Sequence, residues 1–429
     1  MKLTEWRAKL ESEEFYKALY PLYKDKTKEN IPRYASLLDR FEASFPEAAA
    51  DADILLFSAP GRTEIGGNHT DHQRGRVLAA SVEMDSIGAA AAVPGPVIDV
   101  RSEGFDPCRL DISDLQVREE EFNTTTSLIR GMAAGFAQRG CKVGGFCMTA
   151  SSNVLPGSGI SSSASFEVLL GNVINTLFFD GKEDAVEIAK IGQYAENVYF
   201  GKPSGLLDQM ACSVGNLLTI DFEDKDNPLV RRLDVDFDSC GLALCIIDSG
   251  ADHAGLTSEY AAIPEDLRAI SRMFGKEVLR EIDKDEFYEN FGKVRAEVGD
   301  RAILRAVHFY DENERVAEEA RALESGNIDE FLRLVRMSGY SSYMYLQDIV
   351  PAGRIKNQEM GVTLALCHEI LGERGAFRVH GGGFAGTAEA FVPLDMVDTF
   401  KTSIEKLLGT EGSCHVINIR EVGGTAISL

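Results

Sequence analysis

Leu155-Pro156-Gly157-Ser158-Gly159-Ile160-Ser161-Ser162-Ser163-Ala164-Ser165 runs straight into a segment where Phe166, Leu169, Leu170, Val173, Ile174 and Leu177 recur at spacings of three, four and seven. That period describes a helix buried along one face. The glycines before it let a backbone come close, the serines donate hydroxyls, and serine is a favoured N-cap. A helix N-terminus aimed at such a loop makes an anion cradle suited to a nucleotide phosphate. The pattern is neither G-x-x-x-x-G-K-[ST], which occurs nowhere in the chain, nor G-x-G-x-x-G, because Ser162 stands at the third glycine. A flexible Gly/Ser linker is the plainer reading, and the amphipathic helix starting at once after it favours the cradle.

Three further segments crowd polar groups with glycine. Ser58-Ala-Pro-Gly-Arg62-Thr-Glu64-Ile-Gly-Gly-Asn68-His69-Thr-Asp71-His72-Gln73 reads as a tight loop. It suits hydrogen bonding to a polyhydroxy ligand better than a metal site, since His69, Asp71 and His72 lack a fourth partner. Ala195-Glu196-Asn197 leads to Lys202-Pro-Ser204-Gly205-Leu-Leu-Asp208-Gln209-Met210. Asp208, set among apolar residues, either caps a helix or takes a proton from a hydroxyl. His380-Gly-Gly-Gly-Phe-Ala-Gly386 holds more glycine than a hairpin turn needs, so something approaches closely there or the loop is mobile.

Around these segments the chain reads as helical over 1–50, with strands at Ile54–Phe57, Val77–Ala80, Pro96–Val100 and Leu242–Ile247. A second helix is expected over about 183–199 and a helix-rich block over 258–375. The polar break Asp224-Lys-Asp-Asn-Pro228 marks the expected division into domains of residues 1–225 and 226–429. Short strands mixed with helices in both halves indicate a two-domain α+β or α/β enzyme.

The 429 residues carry 44 basic against 68 acidic side chains, a net charge of −24. No basic stripe for nucleic acid or an anionic membrane surface is found. Residues 281–330 hold fifteen acidic and seven basic side chains, read as a solvated helix face. Eight scattered cysteines without a C-x-x-C pair, and no apolar run near ~20 residues, point to a reduced cytoplasmic protein.

Taken together and in order, the segments resemble the GHMP kinase superfamily and, within it, the galactokinases. Pro60-Gly-Arg62 through Gly67-x-His69-Thr-Asp71 resembles their sugar signature, Leu155–Ala164 the phosphate loop, and Pro203-Ser-Gly205-Leu-Leu-Asp208-Gln209 the segment with the catalytic aspartate. Asp248…His253…Ser258-Glu259-Tyr260 resembles a sugar-contacting stretch and Gly381–Gly386 the third motif. The resemblance implies an α+β, two-lobed fold of mixed sheets with the active site in the cleft. It implies transfer of the ATP γ-phosphoryl to the C1 hydroxyl of D-galactose. Asp208 would be the base and Arg62 its cationic neighbour. Arg62, Asn68, His69, Asp71, Gly205, Asp208 and Tyr260 would bind the sugar. Gly157, Ser158, Gly159, Ile160, Ser161, Ser162 and Ser163 would hold ATP, and Ser163 and Glu196 would hold Mg²⁺. A monomer is expected, with sugar and ATP as its partners.

The signature departs from the usual galactokinase form at Glu64, Asn68 and His72, which replace Asn, Glu and Tyr. A neutral Asn68 in place of a carboxylate that contacts the sugar's C6 hydroxyl would tolerate a 6-carboxylate, so galacturonate is an alternative substrate. A non-catalytic sugar- and ATP-binding regulator is a third reading, which the presence of both Arg62 and Asp208 disfavours.

Overall fold

The computed structural model describes residues 1–154, 159–202, 204–251 and 255–429. Among the described residues twelve strands form two sheets, β1 Leu55–Gly66, β2 Arg76–Ala92, β3 Val97–Ser102, β4 Cys108–Asp111, β5 Phe146–Ser152, β6 Leu217–Asp221, β7 Leu229–Leu233, β8 Leu242–Asp248, β9 Ala376–Val379, β10 Thr387–Pro393, β11 Cys414–Ile417 and β12 Thr425–Ala426. The first sheet runs β12-β1-β2-β5-β3-β4, with β6 and β7 extending it from β2. The second runs β11-β8-β10-β9. Among the described strands only β3 and β5 pair in parallel. This mixed architecture with helices on both sheets is the α+β arrangement expected from the sequence.

β2 pairs with β1 along one edge and is long enough to serve two partners along the other, β6 at Arg76–Ala80 and β5 at Ser86–Ala92. One face of the first sheet is covered by the helices Thr125–Gln138 and Ser162–Phe178, through Ile129, Met132, Val168, Leu169 and Ile174. The opposite face is capped by the helices Leu3–Lys9, Glu13–Tyr23 and Thr27–Ser44, whose Trp6, Phe15, Tyr34 and Phe41 are fully buried. The second sheet lies between the helices Asp300–Glu324 and Ile328–Ser341 on one side and Glu359–Leu371 and Val397–Leu408 on the other.

Three expectations change. The signature from Ala59 to Gly66 is strand, not loop, because β1 is buried on both faces and its polar residues find partners in the second sheet. Asp224–Pro228 is the turn between the paired strands β6 and β7, which puts the division expected at 225/226 inside a hairpin. The chain also returns to the first sheet at its end, where β12 pairs with β1. Finally, the acidic block is not wholly a solvated face, since Glu312 and Glu319 on the Asp300–Glu324 helix are fully buried.

Among the described residues no helix is long and apolar enough to cross a membrane. All eight cysteines are unpaired.

Candidate active site

Midway along β1, Arg62 faces the start of the helix Leu207–Val214. There the guanidinium grips Asp208 at two points, Nε to Oδ1 at 2.6 Å and Nη2 to Oδ2 at 2.7 Å. Such a two-point pair fixes orientation as well as charge. The third guanidinium nitrogen donates to the carbonyl of Gly159, and the Arg62 backbone N–H donates to the carbonyl of Ile160 at 3.0 Å. Arg62 thus ties the phosphate-type loop to the aspartate. The close approach needs Gly61, where a Cβ would stand 2.6 Å from Ile160 Cγ2.

Ser161 caps the Ser162–Phe178 helix in a left-handed conformation, φ 61°. Its hydroxyl donates to Asp208 in place of a helix N–H bond. Burial alone would push the Asp208 carboxyl up, but the charge and hydrogen bonds of Arg62, with Ser161 and Lys202, hold it below the ordinary carboxylate range. Asp208 is therefore ionised at neutral pH and oriented, which is what a proton acceptor beside a cation requires.

Gly205 gives Asp71 its place, since a Cβ there would lie 1.7 Å from Asp71 Oδ2. His69, in a left-handed conformation at φ 57°, has Nε2 3.0 Å from the carbonyl of Gly382. Burial and the neighbouring His72 push its pKa down to about 3, so the ring is neutral. The Tyr260 hydroxyl donates to the carbonyl of Gly383 at 3.0 Å, and its ring covers Gly382. The glycine-rich segment thus meets both His69 and Tyr260. Gly159 in turn packs against Thr387 and His380 of the second sheet, so the site is assembled where the two sheets meet.

Two expected residues have other occupations. Asn68 is fully buried and its amide is spent on protein, donating to Glu64 Oε1 at 3.1 Å and the Gly381 carbonyl at 2.7 Å and accepting from Ser342 Oγ at 3.1 Å. Its neutrality is a feature of packing, and the argument for a 6-carboxylate loses its footing. Ile160 is buried in the core with Val154, so only its backbone faces the loop. Ser162 is exposed and Ser163 half-buried in the first helical turn. Gly157, Ser158 and His253 lie outside the described residues.

Glu196 sits in a six-residue π-helical turn, Ala195–Phe200, a wide turn often found at functional sites. It is buried and accepts from Lys202 Nζ at 2.9 Å on Oε1 and from Ser204 Oγ at 2.6 Å and Gln209 Nε2 at 2.9 Å on Oε2. Gln209 Nε2 also donates to Glu167 Oε2 at 2.9 Å. Burial and the charge of Glu196 push the Glu167 carboxyl well above its ordinary value. Sequence reasoning named neither Lys202 nor Gln209 as partners of Glu196. Their spacing, six and thirteen residues on, carries no motif.

As a donor set, the half-buried Ser163 hydroxyl and the buried Glu196 carboxylate suit Mg²⁺, which takes hard oxygens and keeps water and phosphate as further ligands. Among the described residues no three His, Cys, Asp or Glu side chains could hold a metal by themselves.

Residues 127–216, which contain this loop, helix and aspartate, match the model of the GHMP kinase N-terminal domain, and residues 39–92 match the galactokinase galactose-binding signature. This stretch of the chain thus resembles a GHMP kinase N-terminal domain. Solved structures of kinases are similar to the chain over most of its length. A Lactococcus lactis galactokinase complexed with galactose aligns at 24% identity and TM-score 0.78, covering 90% of this chain and 98% of its own. The L. major mevalonate kinase in complex with R-mevalonate gives 14% and 0.59, covering 87% and 97%. Streptococcus pneumoniae phosphomevalonate kinase in complex with phosphomevalonate and AMPPNP gives 12% and 0.59, covering 87% and 100%. At these identities what is shared is the fold. The matched N-terminal domain supports a phosphotransferase.

Proposed function

We propose that this chain is a galactokinase-like enzyme that transfers the γ-phosphoryl of ATP to the C1 hydroxyl of D-galactose. The observation that carries this reading is the two-point Arg62–Asp208 pair anchored to the Gly159 carbonyl, which sets a proton acceptor and a cation beside the phosphate-type loop. In the proposed step the sugar O–H bond breaks, its proton passes to Asp208, the sugar oxygen bonds to the γ-phosphorus, and the bond to ADP breaks. Arg62 keeps Asp208 ionised and faces the charge that gathers on the transferring group. Asp71, held beside Gly205, and His69 would fix the sugar hydroxyls. Tyr260 would support the glycine-rich segment beneath them, and Gly159 to Ser163 would hold the nucleotide phosphates. Ser163 and Glu196 would hold Mg²⁺, whose chemistry when bound is to neutralise the phosphate oxygens.

The match to the galactose-binding signature supports galactose over other hexoses. ADP release with a panel of sugars tests the reading. Galactose should be turned over and galacturonate should not, and Asp208→Asn should lose about 10²–10⁴ in kcat with the fold intact. A wild-type chain inactive on every sugar would overturn the kinase reading, and an undiminished D208N would overturn Asp208 as base.

A further inference from the structure

Among the described residues Lys202 is the one basic side chain on the Glu196 carboxylate and the one donor to Oε1, while Ser204 and Gln209 share Oε2. Its side chain is 57% exposed against 4% for Glu196. One end of the pair is therefore rigid and the other is a flexible stem reaching in from solvent. Asp208 and Glu167 lie within electrostatic reach of the same ammonium. A divalent cation seeking Glu196 meets this ammonium first, and two cations on one carboxylate oxygen repel each other. Ser161 and Lys202 both bear on Asp208, so nucleotide phosphates held at 159–163 would offer the ammonium a second set of anionic oxygens.

We propose that Lys202 competes with the divalent cation for Glu196, and that nucleotide phosphates relieve the competition by accepting the ammonium. Cation and nucleotide then bind with positive coupling, since each favours the arrangement in which Lys202 has left Glu196. Lys202 is in this sense a positioning residue rather than a catalytic one. The inference rests on the phosphotransferase reading of the site.

The test uses the full chain and two separate titrations. Mn²⁺ alone is titrated by electron paramagnetic resonance of the free ion, and ATP is titrated calorimetrically in excess EDTA. Lys202→Met should bind Mn²⁺ about tenfold more tightly than wild type and bind metal-free ATP about tenfold more weakly. Lys202→Arg should behave as wild type, and the gain in Mn²⁺ affinity should vanish in K202M/E196Q. A merely structural role for Lys202 would move both affinities down, and either half of the expected pair failing overturns the competition. A wild-type chain that binds ATP neither with Mg²⁺ nor without it overturns instead the reading on which the inference rests.

Discussion

A single guanidinium does two things at Arg62. It sets the charge state of Asp208, and it locks that aspartate to the loop through the Gly159 carbonyl. Burial works against ionisation of Asp208 and Arg62 works for it, so removing the cation should let burial prevail. In Arg62→Met the acid limb of the kcat/KM profile should move up by roughly 1–3 pH units, beyond any loss of rate, whereas wild type should show no Asp208 limb above about pH 4. A pH–rate series on both proteins checks this. Gly205→Ala should act on the sugar alone, because a Cβ 1.7 Å from Asp71 Oδ2 must displace that carboxylate. The expected result is a KM for sugar raised roughly 100-fold with the KM for ATP unchanged, read by steady-state kinetics. At this scale the sequence shows Arg62, Asp208 and Gly205 plainly, since a charged or flexible residue among apolar ones is costly unless used. What Asn68 touches was not visible. Its partners Gly381 and Ser342 lie about three hundred residues away, and an amide reads the same whether it meets a ligand or a carbonyl.

Elements were legible where one face is apolar and obscure where none is. The Ser162–Phe178 helix follows its hydrophobic period, while β1 mixes Arg62, Thr63 and Glu64 into a strand buried on both sides and so shows no alternation. The partners that permit this come from other elements, as they do for the carboxylate of Asp85 on β2. Asp85 is fully buried and accepts from Arg33 at 2.7 Å, from Arg420 at 3.2 Å, and from Tyr23 and Ser58. It pins the N-terminal helices and the returning C-terminal segment to the first sheet. Burial pushes its carboxyl up, but Arg33 and Arg420 hold it below the usual value of 3.8. A depressed carboxyl contributes stability that is present above that value and lost as pH falls through the folded one. Asp85→Asn should therefore cost about 3–5 kcal/mol at pH 7, because it leaves buried arginines unpaired. Urea unfolding at pH 7 and at pH 3 should show the gap between mutant and wild type narrowing at the lower pH.

The two sheets meet across a polar seam rather than an apolar one. Thr63 donates to Glu389 at 2.7 Å, Arg378 donates to Glu64 at 3.0 Å, Ser338 donates to Glu312 at 2.6 Å, and the Gly67 N–H reaches the same Glu312 at 3.1 Å. Here part of the −24 charge has gone inside, and the composition could not tell this acidity from the solvated kind. Burial pushes the carboxyls of Glu64, Glu319 and Glu389 up, while Arg315 and Arg378 draw that of Glu312 down. Glu389 shows the upward push most measurably. Burial pushes its pKa up to about 7 from an ordinary 4.5, Arg378 and the Thr63 hydrogen bond only partly opposing it, and Oε1 has no hydrogen-bond partner among the described residues. A carboxyl raised in the fold is neutral there while its unfolded counterpart ionises, so stability falls as pH climbs from about 4.5 to about 7 and stays reduced above. Glu389→Gln keeps an acceptor for Thr63 and removes the titration. It should leave stability at pH 4 nearly unchanged and raise it at pH 8 by about 1–3 kcal/mol. Equal stabilisation at both pH values would mean that Glu389 packs poorly for reasons other than charge. Denaturant unfolding of wild type and E389Q across pH 4–8 separates the two, and the wild-type curve should bend downward in the interval where the mutant's stays flat.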